Sequence, residues 1–94
     1  MTLPEPIDRF FRADFTAFDA DAILQDEGAT HRGPSEILAW WREAEASYQH
    51  TVTPESLDGT TVTAKVSGNF PGSPARIRFA FTLKNDRIAA LEIG

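Results

Sequence analysis

Over its second half this chain alternates apolar and polar residues. Val62, Ala64 and Val66 interleave with Thr61, Thr63 and Lys65, and Ile77, Phe79, Phe81 and Leu83 interleave with Arg76, Arg78, Ala80, Thr82 and Lys84. A period of two puts every apolar member of such a run on one face of an extended strand, so Thr60 to Ser67 and Arg76 to Lys84 are expected to be half-buried strands with one wet face. Asp58-Gly59 and Asn85-Asp86 have the chemistry of hairpin turns, and Pro71-Gly72-Ser73-Pro74 forces a longer connection between the two best strands. With the segment that begins at His50 and the closing run Arg87 to Ile93, a meander of four antiparallel strands results. Its apolar face needs a cover.

The first half of the chain supplies that cover. Ile7, Phe10, Phe11, Phe15, Phe18 and Ala22 follow Pro4 and Pro6 at a spacing that lines one side of a helix, which predicts one helix from Pro4 to Phe18, with Asp14 to Thr16 as the place where it would break. Gly33-Pro34 then opens a second helix, with Glu36 as a favourable first-turn charge. Ile37, Trp41, Ala44 and Tyr48 recur at helical spacing along it, with Trp40 at the edge of the stripe. The expected fold is therefore α+β, with helices packed on one face of a curved antiparallel sheet of about four to five strands. The earlier strand, Ile23 to Glu27, belongs at one sheet edge.

That earlier strand ends in an acid aimed the wrong way. Alternation puts Asp26 on the same side as Ala22 and Leu24, towards the core, and Glu27 with Gln25 towards water, either solvated or paired with Arg32. An isolated ionised carboxylate is costly to bury, so Asp26 must find a donor, stay protonated or line a cavity. Two readings follow: a general base in an apolar pocket, or a structural carboxylate capping the turn that leads to Gly33. His31, in that same turn, is the candidate proton partner, with Tyr48 as the other candidate donor and His50 a weaker one; the alternative for His31 is a surface or capping residue beside Arg32. Trp40, Trp41, Tyr48, Phe70 and Phe79 are the candidate ligand-binding residues, although Trp41, central in the helical stripe, reads first as core and Trp40 is the better pocket candidate.

Several classes of function are disfavoured by composition. Nine Lys and Arg stand against fourteen Asp and Glu, for a net charge of -5, which is not the footprint of a nucleic-acid or anionic-membrane binder. The chain has no Cys, so thiolate chemistry, disulfides and iron–sulfur ligation are excluded, and two His without a paired spacing do not suggest a metal site. No phosphate loop, dinucleotide fingerprint or Ser-His-Asp pattern is present, and no cofactor is implied. With 94 residues and a polar, acidic start, a single domain spanning 1–94 and a cytoplasmic location are the expectations.

Phe10-Phe11, Ala22 to Gly28, His31-Arg32-Gly33, Ile37 and Trp41, Gly68 to Pro74, and Ile88 to Ile93, in that order, resemble a SnoaL-like member of the nuclear transport factor 2 (NTF2-like) superfamily. The resemblance covers nearly the whole chain and implies a cone of curved sheet closed by helices, homodimerisation through the outer sheet face, and a small apolar or polyketide-like molecule held in the cone. It also implies a distant relation to ketosteroid isomerase and polyketide cyclases, in which Asp26 occupies the position of the proton-shuttling base. The isomerase pattern places a Tyr and a protonated Asp as oxyanion donors; here the first helix carries Phe10 and Phe11, and Phe79 stands at the later acid position. Fourteen residues, Arg12 to Gln25, separate Phe11 from Asp26, fewer than the family spends on its helical wall. The cone is expected to be either open at its mouth or covered by a second subunit. Proton transfer next to a carbonyl and a non-catalytic binding or dimerisation module, with the cone open or filled by Phe15, Phe18, Phe79 and Phe81, both fit this reading.

Overall fold

A computed structural model describes residues 1–94. Helix α1 spans Glu5–Phe11 and is followed by a single 3-10 turn, Phe15–Ala17. Strand β1 (Phe18–Asp26) pairs with a short strand β2 (Ala29–Arg32); helix α2 (Gly33–Tyr48) then leads into β3 (Thr51–Asp58), β4 (Thr61–Ser67), β5 (Ala75–Lys84) and β6 (Arg87–Ile93). The six strands form one sheet in the order β2-β1-β6-β5-β4-β3. Register irregularities in β1, β3 and the β5–β6 pair bend it into an open half-cone.

The four-strand meander and the covering helices are as expected from the alternation; the N-terminal segment is not one helix. The chain leaves α1 after Phe11, passes through a left-handed Ala13 (φ 61°), and restarts at Asp14. The Asp14 carboxylate accepts from the Thr16 backbone N–H at 3.1 Å and the Thr16 hydroxyl at 2.6 Å, while Arg9 Nε donates to its other oxygen at 3.0 Å. These local bonds outcompete the next helical turn, which is the usual effect of Asp and Thr on a helix interior. Phe15 and Phe18 reach the core nonetheless, one from the 3-10 turn and one from the start of β1.

The earlier strand is not at the sheet edge. Glu27 and Gly28 both take positive φ (52° and 77°), forming a two-residue hairpin turn that returns the chain as β2 with Asp26 opposite Ala29. A side chain at position 28 would have open space but a strained backbone. β2 thus covers the outer side of β1, whose inner side pairs with β6 in parallel. The sheet is therefore mixed, with six strands.

Fifteen buried apolar residues make a single core on the concave face, and no polar residue is buried with them. Phe10 is its centre: its ring lies 5.1 to 6.1 Å from those of Phe11, Phe15, Phe18, Trp41, Phe79 and Phe81. α1 is anchored on the sheet in this way, and α2 closes one side through Ile37, which is fully buried. Towards the C-terminal half of α2 the contact opens. Trp40 and Trp41 are only partly buried and Tyr48 is 41% exposed.

Candidate functional site

The opening beneath α2 is a cavity of about 350 Å³, near the lower end of the range for small-molecule sites. Its roof is Trp40, Trp41, Ala44 and Tyr48 from α2; its floor comes from the concave strand faces, including Phe79, Ile77 and Ile93; Phe70 and Pro71, from the connection between β4 and β5, complete the lining. Asp26 enters from the end of β1. Each strand delivers its residue by alternation: Asp26 lies two residues beyond buried Leu24, and Phe79 two before buried Phe81.

Asp26 is partly buried, and Trp40 Nε1 donates to its Oδ2 at 3.1 Å. No Lys or Arg reaches it, and none lines the cavity. An indole N–H is a neutral donor, so the carboxylate is oriented without its charge being cancelled. The second acid of the lining is Glu27, exposed at the rim. It forms no ion pair with Arg32, whose backbone N–H donates instead to Glu36 at 2.9 Å across the start of α2.

Of the residues singled out from the sequence, Asp26, Trp40, Trp41, Tyr48, Phe70 and Phe79 meet around this one cavity. His31 does not line it. Its position in β2, opposite Leu24, sets its ring 6.1 Å from that of Trp40 and outside the lining. His50 does line the cavity, with its ring edge-on to Trp41 at 4.7 Å. The signal for His50 is its spacing from Val52, which also lines the cavity: two residues apart at the start of a strand, they share a face.

The corner that carries His50 is tightly held. Gln49 ends α2 in the left-handed conformation (φ 48°), and the Asn69 N–H donates to the Tyr48 carbonyl at 2.7 Å. Gly68 packs so closely that a Cβ there would stand 2.7 Å from the Tyr48 carbonyl oxygen and 3.1 Å from His50 Cα. No group of three or more His, Asp or Glu is gathered in a way that would hold a metal ion, and no helix is long and apolar enough to cross a membrane.

No family profile and no curated protein matches the chain, whereas solved structures do. A polyketide-cyclase candidate from Sinorhizobium meliloti shares 39% identity and superposes with a TM-score of 0.90, the match covering 98% of this chain and 95% of the other. A protein of ketosteroid isomerase-like fold from Catenulispora acidiphila, solved in complex with trimethylamine, superposes at 0.80 with 22% identity over 99% of this chain and 86% of its own. An NTF2-like protein from Cytophaga hutchinsonii reaches 0.63 with 11% identity over 95% and 78%. The last two are likenesses of fold.

Proposed function

This chain belongs to the NTF2-like superfamily, related to ketosteroid isomerase and polyketide cyclases, and from that membership we propose that it binds a small, neutral, largely apolar carbonyl compound of polyketide-like type beneath α2, with Asp26 as the base for proton transfer next to the carbonyl. The observation that carries this reading is the Asp26 carboxylate itself: partly buried, oriented by one indole N–H, uncompensated by any cation and lining a cavity walled by aromatic rings. A base must have an unblocked lone pair within reach of the proton it takes, and the Trp40 bond occupies only one of the two carboxylate oxygens. The lining also selects against anions, since Asp26 and Glu27 are its charged members. A neutral ketone meets no such repulsion.

The reading is tested by incubating the protein with a panel of mono- and bicyclic enolisable ketones in heavy water and following deuterium uptake by mass spectrometry. The wild-type chain is expected to accelerate uptake into at least one of them, and Asp26→Asn to abolish that acceleration while keeping the same circular dichroism spectrum. Saturable ligand binding without exchange would leave a binding module. Unchanged exchange in the Asp26→Asn chain would remove the base.

Two copies pairing through the convex sheet face belong to the same proposal. That face carries Lys65, Arg76 and Arg78 on β4 and β5, with Glu92 on the neighbouring β6. Pairing would place basic and acidic parts of facing sheets opposite one another.

A further inference from the structure

His50 Nδ1 is the one side-chain nitrogen or oxygen in the chain that is both buried and without a hydrogen-bond partner. Such atoms are uncommon in folded proteins, and each calls for a physical reason. The ring cannot readily swing to relieve this one. Trp41 meets it edge-on at 4.7 Å, and the backbone beneath it is pinned between the left-handed cap at Gln49 and the close approach of Gly68.

The orphan nitrogen favours one tautomer over the other. A neutral imidazole carries its proton on one nitrogen only, and an N–H buried without an acceptor is penalised more heavily than an unused lone pair. The proton therefore belongs on Nε2. His50 lines the cavity of Asp26 and also a second hollow beside Phe15, Leu38 and Arg42; with the proton on Nε2, what it offers a ligand there is an N–H donor rather than an acceptor, opposite in sense to Asp26.

We infer that His50 Nε2–H is the donor for the ligand's carbonyl oxygen, working with Asp26 as the base; the inference rests on the carbonyl-ligand reading above. Asp26 takes a proton from the carbon next to the carbonyl: the C–H bond breaks and an O–H bond forms on the carboxylate. The released electron pair becomes the enolate C=C bond while the carbonyl π pair moves onto oxygen, where Nε2–H holds the developing charge. Return of the proton from Asp26 to carbon restores carboxylate and ketone, so no further reactant is needed. The other polar groups are less suited. The Trp40 N–H is committed to Asp26, His31 lies outside the lining, and Tyr48 stands exposed at the mouth with its ring edge-on to Phe70.

Long-range proton–nitrogen correlation spectra of the labelled protein read the tautomer directly. The free chain is expected to show His50 protonated at Nε2, and titration with β-tetralone, a neutral bicyclic ketone, to shift that nitrogen. Protonation at Nδ1, or no shift at the solubility limit of the ketone, overturns the inference without any reference to catalysis. In the heavy-water assay His50→Leu is expected to lower the rate constant about a hundredfold with little change in KM, the usual scale for losing one oxyanion donor. His50→Gln, which keeps an N–H, should recover part of that loss. Wild-type exchange by a folded His50→Leu chain, alongside an inactive Asp26→Asn chain, would sink His50 as the donor and leave the base standing.

Discussion

The indole N–H of Trp40 makes the one side-chain hydrogen bond that the Asp26 carboxylate receives, at 3.1 Å. The two residues lie fourteen positions apart, on a helix and at a strand end, so this bond ties α2 to the sheet as well as orienting the acid. Trp40→Phe keeps the aromatic roof and deletes the donor. A hydrogen bond to a charged group contributes about 1.5 to 3 kcal/mol, and the partial solvation of Asp26 places this one near the lower figure. Trp40→Phe is expected to lower unfolding free energy by roughly 1.5 kcal/mol in urea titrations. Asp26→Asn in the Trp40→Phe background should then cost less than in the wild type. Strict additivity in that cycle would mean the contact contributes nothing.

Gly68 is predicted to be intolerant of any side chain. Its missing Cβ is what lets the chain just after β4 approach the Tyr48 carbonyl and the His50 backbone, and 2.7 Å to a backbone oxygen is too short for any carbon. Gly68→Ala must push the α2–β3 corner outwards, an overpacking strain of about 1 to 3 kcal/mol. The thermal midpoint should fall accordingly, and the His50 ring resonances should move with it because the corner carries that ring. Wild-type stability in the Gly68→Ala chain would show that the corner yields freely.

The β4 and β5 strands are legible in the sequence because their buried residues alternate without interruption, Val62, Ala64 and Val66 sharing one face with Phe79 and Phe81. Asp26 is legible for the same reason, one step of the alternation beyond Leu24. β2 is not, because its four residues are exposed or half-buried and carry no apolar pattern, so nothing in Ala29–Arg32 distinguishes a strand from a loop. Without β2, His31 reads as a neighbour of Asp26, to which it is close along the chain, whereas the hairpin carries it to a place opposite Leu24. The break after α1 depends on a three-way contest among Arg9, Asp14 and Thr16 that local propensity only hints at. His50 is obscured by the helix end: its phase with Val52 becomes meaningful only when the strand is known to begin at Thr51.

Acid should expose the Asp14 cluster. Its carboxyl is held down to about 2 from an ordinary 3.8, first by the Thr16 hydroxyl, then by Arg9 and the Thr16 backbone N–H. A carboxyl whose folded value lies below its unfolded value favours the fold once it is ionised, so this contribution is complete above its ordinary value and disappears as pH falls through the folded one. The wild-type urea midpoint is expected to drop between about pH 4 and pH 2. In Asp14→Asn the fall across that window should be shallower, since the group that titrates is gone. Parallel profiles for the two chains would show that the cluster does not couple to folding.

Pairing of two copies through the convex face makes a prediction about charge. On that face Arg76 is already engaged by Glu55 at 2.8 Å, whereas Arg78 and Lys65 form no ion pair within the chain. Arg78 lies on β5, a strand near the middle of the sheet, with Thr63 beside it on β4. A two-fold axis through this face would bring such unpaired cations to the acidic residues of the facing sheet, where they would gain more than at an exposed surface. Sedimentation equilibrium is expected to show a dimer that weakens with added salt, and Arg78→Glu to shift it about tenfold or more towards monomer, since like charges would then face each other. The cavity lies on the other face, so monomeric Arg78→Glu chain should still bind the same ketones unless the partner covers the open mouth. A chain that stays monomeric at every concentration would remove the pairing and leave the half-cone open to solvent.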